Sequence, residues 1–435
     1  MLIVGAGAAG LAATHDLSEA GLHTITIEAR NRIGGRIFTH SAPQLELGAE
    51  FIHGRPPELL EIVGLAKLSI EQTTRRHWFF ENGVLVKTGD FWDKVERVMD
   101  QVDDSAADCS FKEYLESLPD DETLRQAKSV AALYVEGFHA ASLDRIGIKG
   151  LVKANEAAER IHGETSFRLL SGYESVCSWL QEQAERNGAT FHLNTTVTEL
   201  RWRQGQVEAI CKADDAAVKF TARAVVITVP LTLLQTAQRR PESLVFTPAL
   251  PTEVQRAIDT LEMGDAVRIV LRFHERFWEK LRLPGMTEHD NLSDLGFLHY
   301  AGVIFPTWWT TLPESESLLV GWVGGPGAAA LTNESEESVL RKAVASLARI
   351  FQLSEAEICA QVKDWFIHNW HKDPLTVGAY CYVPPNGLEA QMSLAQPVAK
   401  TLFFAGEALA VGHIGTVHGA LSSGKRAAQR ILANL

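Results

Sequence analysis

The chain has 435 residues, of which 46% are hydrophobic and 22% are charged, and its formal net charge is −13. This composition argues against a disordered chain, and the length favours two or three domains. The negative charge argues against nucleic-acid binding, and the absence of an apolar run of about 20 residues argues against a membrane span. The five cysteines lack C-x-x-C spacing. Neither a disulfide framework nor a metal site is therefore expected. We expect a reducing compartment, and thus a cytoplasmic location.

The first 28 residues follow a strand–turn–helix–strand pattern. Residues 2–4 form a short apolar run, and a glycine turn leads into an alanine-rich helix that Gly21 ends. Residues 24–28 form the second strand. This order predicts the βαβ unit of a parallel sheet.

The remaining chain alternates between two kinds of segment. Residues 78–161 are acidic and helical in pattern with little strand signal, whereas residues 190–210 alternate with a period of two. A second excursion contains the strand "GDAVRIVLRF", and the chain then returns through the buried run "KTLFFAGEA" to a final amphipathic helix. We therefore predict an α/β protein in which a Rossmann-like domain of discontinuous segments accompanies an α+β domain with a mixed sheet and helices. The predicted boundaries are 1–76, 165–238 and 371–435 for the Rossmann-like domain, and 77–164 and 239–370 for the second domain.

The sequence "GAGAAG" places glycines at positions 5, 7 and 10, between the first strand and the first helix. Gly5 permits a tight turn, Gly7 lets the backbone approach a pyrophosphate, and Gly10 lets the helix pack closely on the strand. The helix N-terminus then offers amide donors to phosphate. Glu28 lies at the end of the next strand, where its carboxylate can accept ribose hydroxyl groups. Together these features predict a dinucleotide site.

Further motifs resemble those of the flavin-containing amine oxidase family along the whole chain. They are "EARNRIGGRIFTH", "LELGAEFIHG", "TARAVVITVPLTLL", "GAYCYVPPNG" and "LFFAGEALAVGHIGTVHGALSSGKRAA". The resemblance implies FAD as the cofactor, with the double glycine and Arg36 at the pyrophosphate and Gly48–Ala49 beneath the flavin ring. The residues assigned to the cofactor by the glycine turn and by this resemblance are Gly5, Gly7, Ala9, Gly10, Glu28, Ala29, Arg30, Gly34, Gly35, Arg36, Gly48, Ala49, Glu50, Phe51, Val197, Thr228, Pro230, Trp370, Gly406, Glu407, Thr416, Val417 and Ala420.

The chemistry implied by the resemblance is oxidative deamination of a small amine. Flavin N5 would accept a hydride from the carbon beside the amine nitrogen, the imine would hydrolyse, and O₂ would be reduced to H₂O₂. An amino-acid oxidase or a desaturase of the same superfamily is an alternative, as is a flavoprotein without amine turnover. The motifs "IHG" and "TVHGALSSG" are most similar to those of polyamine oxidases and histone-lysine demethylases. The oligomeric state is left open.

Arg268 stands in the apolar strand where the family usually has a lysine near N5. A guanidinium group keeps its charge and cannot act as a base. It could hold a water near the flavin, or it could pair with a substrate carboxylate. It could instead be a core-edge arginine that is salt-bridged to an acid such as Glu262 or Asp265.

Other departures from the family concern the flavin link and the substrate pocket. Gly378 stands where monoamine oxidases carry the cysteine that binds flavin, and Cys381 is offset. Noncovalent FAD is therefore expected. The two cage tyrosines of those enzymes align with Ala379 and Thr416, so Trp370 or Tyr380 is expected to rebuild the cage.

The remaining candidates are a histidine, two acids and three tryptophans. With Arg268, Trp370 and Tyr380, His53 of the "IHG" motif is predicted to contribute to catalysis, although it could be a turn histidine that is bonded to the backbone. Glu50 and Glu136 could bind the distal ammonium group of a diamine or polyamine. The tryptophans are expected in the core rather than in the pocket: Trp308, Trp309 and Trp322.

Overall fold

The structure is a computed structural model. It describes the chain except for residues 75, 82, 89, 104, 214–215, 236–239, 241–242, 289 and 435, and except for the side chains of residues 88 and 123. The predicted domain boundary between residues 238 and 239 lies outside the described residues.

Strands and helices are numbered along the chain. The strands are β1 Leu2–Val4, β2 Ile25–Ile27, β3 Thr39–Ser41, β4 Gln44–Glu46, β5 Ile52–His53, β6 Ile70–Gln72, β7 His77–Glu81, β8 Val84–Thr88, β9 Ser166–Leu169, β10 Thr190–His192, β11 Thr195–Arg203, β12 Gln206–Ala213, β13 Ala216–Ala222, β14 Val225–Ile227, β15 Val245–Thr247, β16 Glu262–Met263, β17 Ala266–Phe273, β18 Phe297–His299, β19 Thr307–Trp309, β20 Leu318–Gly324, β21 Val362–Asn369, β22 Cys381–Tyr382 and β23 Leu402–Phe404. The helices are α1 Ala8–Glu19, α2 Pro57–Leu65, α3 Phe91–Met99, α4 Phe111–Ser117, α5 Glu122–Phe138, α6 Ile148–Arg160, α7 Glu174–Arg186, α8 Thr252–Thr260, α9 Gly325–Ala329, α10 Glu336–Phe351, α11 Glu355–Gln361, α12 Leu388–Leu394 and α13 Val417–Leu432.

The part predicted to be Rossmann-like is built around a parallel sheet in the order β10-β2-β1-β14-β23. Strands β1 and β14 and the edge strand β23 are fully buried apolar runs, as expected where both faces of a parallel sheet are covered. Helices α1 and α13 cross closely at Gly424, which has no side chain. A Cβ at this position would lie 2.1 Å from the Ala9 carbonyl oxygen. Next to this sheet, β13, β12 and β11 form an antiparallel meander that β15 extends in parallel.

A second sheet of seven strands runs in the order β21-β17-β20-β19-β18-β7-β8. Its pairs are antiparallel except for β18 with β7. One of its faces packs with α10 and α11 in an apolar core that includes Trp78, Trp278 and Trp308. Near its other face, α3 and α5 pack on each other. The mixed α/β architecture confirms the predicted fold class, whereas the domain boundaries remain a prediction.

The segment 78–161 differs from its expected helical pattern at its start. Strands β7 and β8 pair there as an antiparallel ladder, and only after them do the helices α3 to α6 follow. The aromatic and β-branched residues of "HWFF" and "VLVKT" account for these strands. Among the helices of the described residues, none combines the length and the apolar character that a membrane crossing requires.

Candidate cofactor and substrate site

The glycine turn after β1 leaves no room for a side chain at Gly5 or at Gly10. Gly5 has a φ of +102°, and a Cβ on Gly10 would lie 1.9 Å from the Gly5 carbonyl oxygen. Thr228, at the end of β14, holds the turn through hydrogen bonds from its hydroxyl group to the carbonyls of Val4 (2.9 Å) and Gly5 (3.1 Å). The α1 N-terminus at Gly7 carries no side-chain cap. Its free amides therefore remain available to an anion.

Glu28 lies at the carboxyl end of β2, beside the glycine turn. Its two carboxylate oxygens accept hydrogen bonds from the backbone amides of Ala6 (2.8 Å) and Arg30 (2.9 Å). Each oxygen keeps a further lone pair, because a carboxylate offers about four acceptor positions. The carboxylate is thus fixed in place and can still accept hydroxyl groups.

A salt bridge joins two of the predicted pyrophosphate residues, Arg36 and Glu407, which are far apart in the sequence. Arg36 donates to the Glu407 carboxylate (2.8 Å) and to the Ala379 carbonyl (2.8 Å). Glu407 also accepts hydrogen bonds from the backbone amides of Cys381 and Gly415. A cavity beside Gly406 is lined by both members of this salt bridge.

Two of the glycines assigned to the cofactor face open space, and one of them, Gly406, lines this cavity. A Cβ on Gly406 would meet no atom within 4 Å, and one on Gly7 would meet only the Gly34 carbonyl oxygen, at 4.0 Å. Arg32 braces the double-glycine loop with hydrogen bonds to the carbonyls of Ile33, Gly35 and Ile37. The motif thus combines an arginine that binds the loop with a second arginine, Arg36, that faces Glu407.

Arg30 joins the start of the chain to its end. Its guanidinium group makes two 2.8 Å bonds to Asp373 and one of 2.9 Å to Thr376. Burial alone would raise the pKa of Asp373, but His368, whose Nε2 lies 3.4 Å from Asp373 Oδ2, and the bound Arg30 hold this pKa below its ordinary value. The Arg30 side chain is therefore committed to Asp373, and its predicted contribution to the cofactor site would be made through the backbone.

The other residues assigned to the cofactor by sequence lie at four places. Val197 lies in β11, within the apolar core that the parallel sheet shares with β12, and Pro230 follows β14 in the cavity wall. Thr416 caps α13, because its hydroxyl group accepts a hydrogen bond from the Gly419 amide. Ala29 lies between Glu28 and Arg30. Val417 is the first residue of α13, and Ala420 lies about one turn into that helix.

Glu50 lies between two arginines in a buried cluster. Arg168 Nε donates to Glu50 Oε1 at 2.7 Å, Arg268 Nη2 donates to Glu50 Oε2, and Trp309 Nε1 lies 3.2 and 3.1 Å from the two oxygens. Burial alone would raise the pKa of Glu50, but Arg268 and Arg168 outweigh this effect and hold the pKa below its ordinary value. Because both oxygens are already bound, Glu50 is poorly suited to a substrate ammonium group.

Arg268 is buried and paired, but the suggested acid partners were wrong. Glu262 binds Arg145 and Tyr382, and Asp265 binds His371 at 2.7 Å. The partner of Arg268 comes from a distant segment, because the middle of β17 packs against residues 48–51. Arg268 Nη1 also donates to the Gly48 carbonyl at 2.9 Å, whereas its buried Nε has no hydrogen-bond partner in the described part of the chain.

His53 lies beside this cluster at the end of β5. Its Nδ1 is 3.3 Å from the Ser166 hydroxyl oxygen, and its ring contacts those of Phe51 and Phe138. Burial lowers the pKa of His53 to about 4. The imidazole is therefore neutral at physiological pH and adds no positive charge to the site.

Aromatic rings form a closed circuit that starts and ends at Phe51. Neighbouring ring centroids in the circuit are 4.9 to 6.4 Å apart. In order, the rings are Phe51, His53, Phe138, Tyr134, Phe91, His77 and Phe297. The circuit joins the segment after Gly48–Ala49 to α3, α5 and the seven-stranded sheet. It offers an apolar wall with few charges.

Tyr380 and Trp370 approach the same region from the C-terminal segment. The Tyr380 hydroxyl group donates to the Phe138 carbonyl at 2.7 Å, and Trp370 Nε1 donates to the Leu47 carbonyl at 3.1 Å. Burial raises the pKa of Tyr380. Both predicted catalytic residues thus border the segments that carry His53 and Glu50.

The three remaining tryptophans do not share one environment. Trp308 is fully buried in the core of the seven-stranded sheet, as expected. Trp309 is buried too, but it contacts Glu50, and Trp322 Nε1 donates to the Gly137 carbonyl at 2.8 Å. Glu136, in α5, has a pKa that burial raises.

Sequence reasoning missed six residues of this site, which are Arg168 and five rings of the circuit: Phe138, Tyr134, Phe91, His77 and Phe297. Arg168 and Tyr134 are one example of each kind. Arg168 is a charged residue among the apolar residues of β9, and the same signal had drawn attention to Arg268. Tyr134 is one helical turn before Phe138, and the two rings stack with centroids 5.1 Å apart. No local motif marks either residue.

The fold and the site define a dinucleotide-dependent oxidoreductase with two parts. A Rossmann-like sheet presents a glycine turn, an acid at the end of β2 and a salt-bridged arginine, which fit the ribose and pyrophosphate of a dinucleotide. The buried Nε of Arg268, which has no hydrogen-bond partner among the described residues, offers a donor where the bound flavin ring is expected.

The chain belongs to the flavin-containing amine oxidoreductase family, whose sequence profile matches residues 8–432. FAD is therefore the cofactor. Noncovalent binding agrees with Gly378, which has no side chain that could form a thioether.

Proteins of two kinds are similar to this chain. Probable polyamine oxidase 4 of Arabidopsis thaliana is 27% identical over 460 residues, which cover 99% of this chain and 86% of the relative. Lysine-specific histone demethylase 2 of Homo sapiens is 27% identical over 476 residues, which cover 100% of this chain but 53% of the relative. The chain thus spans about half the length of that demethylase.

Solved structures support the fold. Wild-type putrescine oxidase bound to putrescine superposes with a TM-score of 0.83 at 22% identity, covering 99% of this chain and 98% of that one. Cyclohexylamine oxidase from Brevibacterium oxydans has a TM-score of 0.79 at 18% identity, covering 100% and 98%.

Proposed function

We propose that the protein is an amine oxidase that deaminates a small primary or secondary amine and uses O₂ as the electron acceptor. FAD supplies the redox chemistry: it takes a hydride from the carbon beside the amine nitrogen and passes the two electrons to O₂. Family membership and the likeness to polyamine, putrescine and cyclohexylamine oxidases support this reaction class.

The observation that carries the proposal is the meeting of the cofactor segment 48–51 with neutral and aromatic groups. His53 is uncharged above a pH of about 4, and the Arg168–Glu50–Arg268 cluster has no free carboxylate. Such surroundings favour the unprotonated amine, because a cation gains little there. Only that form releases hydride readily. The ring circuit can hold the carbon body of the substrate by apolar contact.

The amino-acid oxidase alternative gains little from Arg268. Its two terminal nitrogens are bound to Gly48 and Glu50. A substrate carboxylate could bind these two nitrogens only by displacing a buried ion pair, which is costly, and it would otherwise be limited to the single Nε donor. Glu136, which makes no side-chain hydrogen bond or ion pair within the described part of the chain, remains the candidate for a distal ammonium group.

Anaerobic reduction of the bound FAD tests the substrate class. Monoamines, diamines, polyamines and amino acids are added separately to holoenzyme, and the visible flavin band is followed. Bleaching by an amine supports the proposal, and bleaching by amino acids alone favours the alternative. If dithionite bleaches the band and no amine does, the proposed function is wrong.

A further inference from the structure

A cluster of buried charges lies where β17 meets residues 48–51. The side chains of Arg268, Glu50 and Arg168 are only 4%, 6% and 9% exposed. Two guanidinium groups with one carboxylate leave these three side chains, the Glu50 triad, with one net positive charge. Buried charge is costly unless it is matched by opposite charge or by hydrogen bonds. The triad therefore has a positive charge that its own members do not balance.

A further carboxyl group, that of Glu46, interacts electrostatically with Arg268 but only partly supplies the missing charge. Glu46 accepts hydrogen bonds from the Tyr173 amide (2.7 Å) and the Thr39 hydroxyl group (2.9 Å). Burial raises the pKa of Glu46 to about 7. At pH 6 it is therefore mainly neutral, and the triad keeps its net positive charge.

Arg268 also has a donor that the protein does not use. Its Nη1 and Nη2 donate to Gly48 and Glu50, whereas its buried Nε has no partner in the described part of the chain. Arg168, in contrast, uses its three nitrogens on Glu50 and on the carbonyls of Thr310 and Leu312. Unpaired buried donors are uncommon in native proteins. The unpaired hydrogen-bond donor of the triad thus belongs to Arg268 and not to Arg168.

The Arg268 side of the triad adjoins the cofactor segment. A Cβ on Gly48 would lie 2.0 Å from the Arg36 carbonyl oxygen, and the Ala49 amide donates to the same oxygen at 3.2 Å. The side chain of Arg36 in turn binds Glu407 at the predicted pyrophosphate position. Gly48 therefore lies next to Arg36, a residue of the predicted phosphate end of the site. This position suits a backbone segment that is expected to lie beneath the flavin ring.

We propose that the Glu50 triad stabilises the negatively charged reduced form of bound FAD and thereby raises its reduction potential. Uptake of two electrons and one proton leaves one negative charge on the ring, and the triad's net positive charge compensates it. Because an arginine stays protonated, this effect does not require Arg268 to exchange a proton. The role is independent of which compound reduces the flavin.

Midpoint potentials of the holoenzymes test this role without any amine. Each protein is reduced slowly at pH 6 by xanthine and xanthine oxidase, in equilibrium with a dye of known potential. Arg268→Met removes the positive charge and is expected to shift the potential to a more negative value. Glu50→Gln removes the negative charge and is expected to shift it to a more positive value. Arg268→Lys keeps the charge and is expected to stay near the wild type.

Arg272→Met is the matched control. Arg272 lies on the same strand, four residues after Arg268. Its side chain is 35% exposed and pairs with Asp364 at 3.3 Å. The substitution removes the same charge in a screened position, so the potential is expected to be unchanged.

A merely structural triad would give a different pattern. Loosening of the site would move the Arg268→Met and Glu50→Gln potentials in the same direction, and that result, or no shift in either, would overturn the proposal. If Arg268→Met does not retain FAD, Arg168→Met replaces it in the test. Its midpoint potential is expected to become more negative, whereas that of Glu50→Gln is expected to become more positive, and the same two outcomes would overturn the proposal. The amine reaction can fail without affecting these values.

Discussion

The two ends of the candidate site are built from different materials. At the phosphate end, glycines expose backbone, and a Cβ on Gly406 would meet only open space. At the reactive end, long side chains from separate segments hold one another, as Arg168 and Arg268 hold Glu50. The first arrangement depends on local shape, whereas the second depends on charge brought together by the fold. Substitutions should therefore separate cofactor retention from stability and redox behaviour.

The largest effect on folding is expected at the reactive end. Glu50→Gln leaves two buried arginines without a carboxylate, and it should lower the free energy of unfolding by about 3–5 kcal/mol. Urea unfolding of the holoenzyme measures this loss. Glu156→Gln, which removes an exposed ion pair with Lys153, is the control and should leave the unfolding midpoint unchanged. Equal effects of the two substitutions would contradict the buried triad.

The largest effect on cofactor content is expected at the phosphate end. In Gly10→Val, the Cβ would overlap the Gly5 carbonyl oxygen and push α1 from the turn. Overpacking of this kind costs about 3 kcal/mol, which corresponds to a loss of FAD affinity on the order of 100-fold. The ratio of flavin to protein absorbance after purification reports the loss.

Gly64→Ala is the matched control for that substitution. Gly64 lies in α2, and a Cβ there would meet no atom within 4 Å. Full FAD content is expected. A Gly10→Val protein that retains FAD as the wild type does would contradict the account of the glycine turn.

An intermediate effect is expected where the two chain ends meet. Asp373→Asn weakens the two-bonded pair with Arg30, and a lost charged hydrogen bond costs about 1.5 kcal/mol. Thermal unfolding measured with and without added FAD should show the loss in both states. A loss confined to the FAD-loaded protein would mean that the pair serves the cofactor rather than the fold.

Acid should weaken the fold through buried histidines. Burial lowers the pKa of His53 and of His139 to about 4 and that of His418 to about 3. The unfolded chain binds these protons near pH 6.5, so the free energy of unfolding should fall as the pH drops from 7 towards 4. The raised pKa of Glu46 acts in the opposite direction between 7 and 4.5. Urea titrations at several pH values measure the slope, and His418→Asn should reduce it.

The smallest effect is expected on the pH dependence of flavin reduction. Because His53 is already neutral at pH 6, His53→Asn should not move the pH profile above that value, whatever its effect on the rate itself. Anaerobic stopped-flow measurements with one amine provide the profile. A displaced profile would mean that His53 titrates during the reaction.

Sequence predicted the phosphate end better than the reactive end for a physical reason. "GAGAAG", Glu28 and the double glycine are short-range patterns whose chemistry is fixed by the local backbone. The partner of Arg268 was wrongly sought among Glu262 and Asp265, its neighbours along the chain. Glu50 is 218 positions away, and only the packing of β17 on the segment after β4 brings the two together. Arg168 escaped notice for the same reason.

The most direct test of amine oxidase function is the stoichiometry of turnover in air. Holoenzyme is incubated with the primary amine that bleaches the flavin fastest, and O₂, H₂O₂, ammonia and aldehyde are measured together. Amine oxidation with O₂ as the acceptor predicts that one molecule of each product forms for each O₂ consumed. If the amine bleaches the flavin but O₂ is not consumed, the protein passes its electrons to another acceptor, and the oxidase proposal is wrong.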